Sequence, residues 1–297
     1  MKKSIIFCLC MAVAVMFSAC NKDQDGVYNP GKKIQKIYTV DETGAQQLEE
    51  VWHWNGDLLS SVDYYLNGIL YYTNNFTYDG NRLMKISNSA SYATFSYDGK
   101  KIDEIKCYEE GQEEPSAAYS FDYKGNKLSE VEIEFNYGGY IVDKKAMVNP
   151  LQFVLPQSCE SVVKMIAKRA NEVKADEKVI MKLTWKGGNV TTVDAEYEIQ
   201  PMKYASTYTT QCTFDNKENP YKGSLASLAY GGVGSSTNMF CNSNNILTEI
   251  TTSGDISITT DYSYQYADDY PVQVTYSTTY NLSSDLNEVE TIVYEYE

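Results

Sequence analysis

A nine-residue pattern that recurs five times is the feature of this 297-residue chain that most restricts its fold. Each copy contains an aromatic residue, any residue, a glycine, two residues, an aliphatic residue, two residues and a second aliphatic residue. Asn-Gly and Asp-Gly pairs supply the positive φ angles that tight primed turns need, so each copy predicts a β-hairpin. The copies begin at Trp54, Tyr78, Tyr97, Tyr123 and Trp185.

The two aliphatic residues of each copy stand three positions apart, as Leu83 and Ile86 do, rather than two. Strict strand alternation would place them on opposite faces of a sheet, so the spacing predicts either a β-bulge or packing on both faces. Bulges also bend strands. We therefore expect an all-β fold, a mostly antiparallel, barrel-like or strongly curved sheet of repeated β-hairpins.

One segment interrupts the β pattern and predicts an inserted amphipathic helix near 158–174, with Ser158 as its N-cap. We expect its apolar stripe to cover an open sheet face or a barrel mouth. No linker composition follows residue 33, so 34–297 is interpreted as a single β-rich domain. The apolar stripe comprises Val162, Val163, Met165, Ile166, Ala170 and Val173.

The N-terminus has the composition of a secretory signal peptide, which we assign to residues 1–20. Lys2 and Lys3 precede an apolar stretch at 5–17, too short for a permanent transmembrane helix, which needs about 20 apolar residues. The stretch ends in small residues followed by Cys20, and this arrangement resembles a bacterial lipobox. The prediction is a lipoprotein signal peptide with Cys20 as the lipid-attachment residue.

The residues that follow Cys20 are polar, and we expect 21–33 to form a flexible tether. Its start, Asn21 to Gly26, resembles the surface-export signal of Bacteroidota lipoproteins. The resemblance implies a protein that is lipid-anchored in the outer membrane and exposed at the cell surface. Attachment that faces the periplasm is the alternative.

The chain is acidic, with 25 Lys and Arg against 40 Asp and Glu, a formal net charge of −15. Removal of the signal peptide would take Lys2 and Lys3 with it and leave 23 − 40 = −17. Phosphate backbones repel such a chain, so no nucleic-acid partner is expected. Membrane contact is expected through the lipid anchor only.

Four cysteines remain after residue 20: Cys107, Cys159, Cys212 and Cys241. In an exported protein they allow two disulfides in three connectivities. Four buried, unpaired thiols are the alternative, because a domain of this size does not need disulfide cross-links for stability.

The residue types that carry chemistry are scarce. His53 is the only histidine and lies between Trp52 and Trp54, so on a strand the two tryptophans share one face and His53 points to the other. The tryptophans form either a sugar-stacking platform or wall packing. The acidic run 109–114 lacks the spacing of a calcium loop and is expected to be a solvated hairpin loop. We assign no catalytic residue, no metal site and no cofactor.

Several later motifs, together with the lipobox and the hairpins, resemble one family. They are the stretch from Phe214 to Pro220, the pair Asn244-Asn245 and the pair Tyr270-Pro271. The family is a Bacteroidota lipoprotein family of unknown function that is described as having a porin-like fold. The resemblance implies a barrel-like β fold and no established activity.

A porin-like fold does not here imply a pore. The strand at 100–106 carries charges on both sides of its aliphatic residues, and charges near the centre of a lipid-facing strand cost roughly 2–4 kcal/mol each. These strands suit a water-facing wall. The expected function is therefore a lipid-anchored cell-envelope protein, a non-enzymatic binding module for a glycan or a partner protein. A structural or assembly role is the alternative, and a glycoside hydrolase is the third hypothesis.

Replacement of Cys20 by Ala should release the protein from membranes, because the acyl chains would have no attachment residue. The distribution of the protein between membrane and soluble fractions measures this, with Cys8→Ala as the matched control inside the signal peptide. Membrane retention of the Cys20→Ala protein would contradict the lipoprotein assignment.

Overall fold

The fold, taken from a computed structural model, is described over residues 24–135, 176–200, 204–225, 240–281 and 287–297. Within these ranges sixteen antiparallel strands form one closed barrel in which each strand pairs with its neighbours in sequence, and β1 pairs with β16 to close the wall. The strands are β1 (Ile34–Val40), β2 (Gln46–Asn55), β3 (Leu58–Leu66), β4 (Ile69–Asp79), β5 (Arg82–Ser87), β6 (Ser91–Asp98), β7 (Lys101–Glu109), β8 (Ala117–Lys124), β9 (Lys127–Phe135), β10 (Asp176–Lys186), β11 (Asn189–Gln200), β12 (Tyr204–Glu218), β13 (Asn244–Ser253), β14 (Ile256–Ala267), β15 (Tyr270–Tyr280) and β16 (Glu288–Tyr296).

The same β-bulge recurs at one end of the barrel. An aromatic residue at or near the end of one strand lies opposite the first residue of an apolar pair on the next strand, and one extra residue follows before pairing resumes. We call this arrangement a bulged unit. The described residues contain eight of them, one at every second of the sixteen strand pairings. The opposed pairs are Trp54–Leu59, Tyr78–Leu83, Tyr97–Ile102, Tyr123–Leu128, Trp185–Val190, Phe214–Ile246, Tyr266–Pro271 and Tyr296–Ile34.

The extra residue explains why the aliphatic residues stand three positions apart. A bulge resets the alternation of the strand, so both members of a pair, such as Ile102 and Ile105, face the interior and are buried. Several bulge residues also satisfy a carbonyl on the opposite strand: Ser129 donates to the Asp122 carbonyl at 3.2 Å. The predicted bulge is therefore confirmed at all five copies of the repeat.

The turns of the five repeats have glycine at their first central position with φ between +58° and +64°. The second central residue does not have positive φ in any of these five turns, which is the pattern of a type II′ turn. The Asn or Asp before the glycine, such as Asp79, ends the strand and supplies no positive φ. In this respect the turn chemistry differs from the prediction.

The barrel interior is mostly apolar, with a few buried polar residues such as Glu50 and Glu249, and the outer wall is polar. Buried residues such as Phe95, Tyr119 and Val131 form the larger of two hydrophobic clusters, and the smaller includes Trp52 and Ile292. The residues that alternate with the buried ones on the outer face of β8–β11 are largely charged. The charged residues are Asp122, Glu130, Glu132, Glu134, Lys178, Lys182, Asp194, Glu196 and Glu198.

The predicted all-β, antiparallel, barrel-like fold is confirmed. The predicted helix near 158–174, the signal peptide and Cys20 lie outside the described residues. Cys107, Cys212 and Cys241 form no disulfide with one another, and Cys159 also lies outside the described residues. Burial raises the pKa of the Cys107 thiol to about 12, so it stays protonated at neutral pH.

Gly80→Ala should lower the free energy of unfolding by about 1–3 kcal/mol, because alanine is strained at φ +61° although open space surrounds the position. Asn81→Ala, at the next turn position, is the control and should cost less than about 0.5 kcal/mol. Urea denaturation of residues 21–297 measures both. Equal effects of the two substitutions would contradict the assignment of the turn.

Candidate functional site

The two ends of the barrel differ in structure and in charge. The eight bulged units all lie at one end, which we call the sealed end. The connections at the opposite end, which we call the distal end, include the described turns 41–45, 67–68, 88–90, 110–116 and 254–255. None of these five turns contains a Lys or Arg residue.

Cation–π contacts and hydrogen bonds join neighbouring bulged units at the sealed end. Lys127 immediately precedes the aliphatic pair of its unit, lies over the Trp185 ring of the next unit and donates to the Gly187 carbonyl at 2.9 Å. Trp185 in turn donates from its indole nitrogen to the Leu128 carbonyl at 2.6 Å. Lys33, Arg82 and Lys101 contact the next ring and turn glycine in the same way.

These contacts link neighbouring hairpins around the rim. Each exposed cation–π contact contributes about 0.5–1 kcal/mol and each hydrogen bond about 0.5–1.5 kcal/mol. The cation before the aliphatic pair is a sequence signal that the repeat analysis missed, although it is visible in three of the five copies as Arg82, Lys101 and Lys127.

The segment 24–33 packs across the sealed end and is a structural strap. Asp25 donates from its amide to the Lys100 carbonyl at 2.8 Å, and its carboxylate accepts from the Ile102 amide at 2.9 Å and the Tyr123 hydroxyl at 2.7 Å. The Gly26 carbonyl accepts from the Leu83 amide at 2.8 Å. The sequence predicts a flexible tether over 21–33, but backbone and carboxylate hydrogen bonds, together with the buried ring of Tyr28, hold its described part.

The connection between β12 and β13 also fills the sealed end. Over its described parts, 219–225 and 240–243, asparagine side chains replace secondary-structure hydrogen bonds. The Asn219 side chain accepts from the Tyr221 amide and donates to the Asn242 carbonyl. The Asn242 side chain accepts from the Val190 amide at 2.8 Å. These bonds hold the fully buried Tyr221 inside the barrel.

The motifs that carry the family resemblance converge on this connection. The Asp215 carboxylate accepts from the Asn245 amide at 3.1 Å, the Lys217 amide at 2.9 Å and the Tyr266 hydroxyl. Asn244 donates from its side chain to the Lys217 carbonyl at 2.9 Å. The polar residues of these motifs therefore fasten a loop into the barrel.

The predicted binding pair, Trp52 and Trp54, lies in the wall of this packed end. Both rings face the interior, and Tyr28 and Tyr221 pack against them with centroids 5.8–6.4 Å apart. Trp52 is only 6% exposed. The arrangement is that of wall packing. Burial raises the pKa of Tyr28, whose hydroxyl stays protonated and donates to the Pro220 carbonyl at 2.7 Å.

His53 points to the outer surface, as the strand alternation predicts. Its Nε2 lies 2.8 Å from the Asp63 carboxylate, and Thr73 donates to the other oxygen of that carboxylate at 2.6 Å. The three side chains lie on the open outer face of β2, β3 and β4. Within the described ranges, no three His, Cys, Asp or Glu side chains are grouped so that they could hold a metal ion.

An apolar hairpin projects at the distal end. The residues on both sides of the turn between β3 and β4 are exposed: Leu66 by 47%, Ile69 by 73%, Leu70 by 51% and Tyr71 by 45%. Tyr71 is the extra residue of a bulge, which turns it outward beside Leu70. We call these four residues the apolar tip. The sequence signal is a run without a charged residue from 64 to 78.

Acidic connections flank the apolar tip. The turn between β1 and β2 contains Asp41 and Glu42, and hydrogen bonds from Thr43 and Ala45 hold the pKa of Asp41 at about 2. On the other side, beyond the uncharged turn 88–90, the acidic run 109–114 forms the predicted exposed loop and donates from the Glu110 amide to the Ala90 carbonyl at 2.8 Å.

Comparison with known proteins supports the fold. No family model and no curated protein matches the chain. A solved structure titled a porin-like protein from Bacteroides vulgatus ATCC 8482 is similar to it, with a TM-score of 0.54 and 15% sequence identity, over 90% of this chain and 99% of that one. In the described part of the chain, no helix has the length and apolar character needed to cross a membrane.

Gly26→Ala should detach the strap, because a Cβ at this position would overlap the Tyr97 hydroxyl and the residue has φ +79°. The amides of Leu83 and Ile102, which donate to the strap, should then exchange hydrogen about tenfold faster or more. Hydrogen-exchange mass spectrometry measures this. Gly44→Ala, at φ +83° in open space at the distal end, is the control and should leave both amides unchanged. Unaltered exchange in Gly26→Ala would show that the strap is not held as described.

Proposed function

We propose that the protein is a lipid-anchored, non-enzymatic binding module of the cell envelope whose barrel faces water and presents its distal end to a partner protein. The observation that carries the proposal is the position of the strap at the sealed end. Asp25 is hydrogen-bonded to β7 and lies only five positions after Cys20. Five residues span at most about 18 Å.

An anchor at Cys20 would therefore keep the sealed end close to the bilayer and direct the distal end away from it. The charge distribution agrees with this orientation. The sealed end combines the rim cations Lys33, Arg82, Lys101 and Lys127 with aspartates such as Asp57, which pairs with Lys33, whereas the described distal turns carry acidic residues and no Lys or Arg. Cations near a negatively charged membrane surface are favoured by about 1 kcal/mol each.

The outer wall supports a water-facing barrel rather than a conducting channel. Charged residues on β9 and β10 form ion pairs on the outer surface, where the Lys178 Nζ lies 2.6 Å from the Glu132 Oε1. In a lipid-facing wall, Lys178 and Lys182 near the bilayer midplane would cost about 2–4 kcal/mol each. Two hydrophobic clusters instead fill most of the interior, around a few buried polar side chains such as Glu50 and Glu249, where a porin keeps a polar lumen.

A binding role is favoured over an enzymatic one by the position of the candidate residues. His53 lies on an open face rather than in a cleft, and Trp52 and Trp54 are used in packing. The exposed apolar tip is the feature that suits a macromolecular partner, because isolated apolar groups of this size at the end of a hairpin are not needed to close the barrel. An outer-membrane location agrees with the porin-like barrel, and the resemblance of the residues after Cys20 to a surface-export signal supports surface display.

The orientation can be measured on vesicles that carry the lipidated protein. A dye attached at Asn126→Cys in a sealed-end turn should transfer energy to a membrane dye more efficiently than one at Gln112→Cys at the distal end. The two positions lie at opposite ends of β8 and are both exposed. The parent chain without an added cysteine measures background labelling. Equal or reversed transfer would refute the proposed orientation.

A further inference from the structure

We propose that the apolar tip is the docking surface for a partner protein that presents a cationic amphipathic segment. This inference rests on the proposed function, since it names the kind of partner that the distal end takes. The tip supplies the apolar contact, and the acidic connections on its two sides select positive charge.

The geometry of the tip favours contact with a side chain from another molecule. Asn67 and Gly68 both have positive φ, so a tight type I′ turn brings Leu66 and Ile69 to the apex. The bulge at Tyr71 turns a further ring outward, and this ring packs edge-on against Tyr72 with centroids 5.4 Å apart. The tip is therefore a preorganised apolar knob, and ordering it on binding costs little conformational entropy.

The flanks of the tip specify charge. Asp41 and Glu42 lie in the adjacent connection on one side. On the other side the uncharged turn 88–90 comes first, and the four glutamates of 109–114 lie one connection further, with the Glu110 amide hydrogen-bonded to the Ala90 carbonyl of that turn. The described distal turns contain no Lys or Arg to neutralise them. An apolar centre with a rim of one charge is the layout of an interface whose partner carries apolar anchors and the opposite charge.

The same flanks argue against two other occupants. A symmetric contact between two copies would bring both acidic rims together, in a chain of net charge −15, and like charges that meet in an interface repel each other. An anionic lipid surface would be repelled for the same reason. The lipid anchor, moreover, lies at the opposite end of the barrel in the proposed orientation.

Binding of a synthetic 18-residue Leu/Lys amphipathic helical peptide to the mature chain with Cys20→Ala tests the proposal, with fluorescence anisotropy as the readout. The parent protein should bind this peptide at least tenfold more tightly than a Leu/Lys peptide of the same composition with a scrambled order. The matching Leu/Glu peptide should not bind. Equal affinity for the ordered and scrambled Leu/Lys peptides would overturn the proposal, because charge alone would then explain binding.

Variants distinguish the contribution of the apolar tip to peptide binding from that of the net charge. Ile69→Asn with Leu70→Asn keeps every charge and should weaken binding at least tenfold, whereas Ile250→Asn, at an exposed apolar position on β13, should change it less than twofold. Glu113→Gln with Glu114→Gln should weaken binding and reduce its salt dependence. Unchanged affinity in the tip variant would overturn the proposal, provided that its circular dichroism and urea midpoint match the parent.

Two further measurements identify the alternative occupants. Dimerisation of the parent protein that Ile69→Asn with Leu70→Asn abolishes, seen by sedimentation velocity, would assign the tip to a second copy and overturn the proposal. Flotation of the Cys20→Ala protein with phosphatidylglycerol vesicles that Ile69→Asn with Leu70→Asn abolishes would assign the tip to a lipid surface. This result would also overturn the proposal. Failure of docking would leave the energy-transfer result unaffected, so the proposed function and this inference fail separately.

Discussion

The bulged unit is the constraint on which the rest of the structure depends. A single extra residue per unit turns two aliphatic side chains into the interior, and repetition around the rim gives the wall its curvature. The unit at the seam is divided between the two ends of the chain: Tyr296 supplies the aromatic residue, and Ile34 and Ile37 supply the aliphatic pair. Closure of the barrel therefore uses the same local interaction as every hairpin.

The sequence predicted those parts of the fold that are encoded locally. Five of the eight units could be found because a glycine turn keeps their aromatic and aliphatic residues within nine positions. The other three could not. A long connection separates Phe214 from Ile246, Asp268 occupies the turn position that glycine fills elsewhere, and the seam joins residues from opposite ends of the chain. No periodicity search links such residues.

The candidate site was less predictable than the fold. Trp52 and Trp54 stood out by residue type, but their burial depends on Tyr28 and Tyr221, which come from a strap and a loop that no local pattern places there. The strap was expected to be flexible because composition does not show that Asp25 has backbone and hydroxyl partners 75 or more residues away. The two ends of the barrel thus differ: hydrogen bonds hold the strap and a loop at the sealed end, and apolar side chains are exposed at the distal end.

The most direct test of this account is a disulfide across the seam. Lys36 and Glu295 lie opposite each other on the outer face of β1 and β16, with Nζ 3.1 Å from Oε1. Opposed residues of this kind have Cβ atoms about 4.5–5.5 Å apart, close to the separation that a disulfide requires. Peptide mapping of oxidised Lys36→Cys with Glu295→Cys should show the two strands linked, and Lys36→Cys with Val289→Cys should not. A chain that forms no cross-link between positions 36 and 295 would contradict the closed barrel.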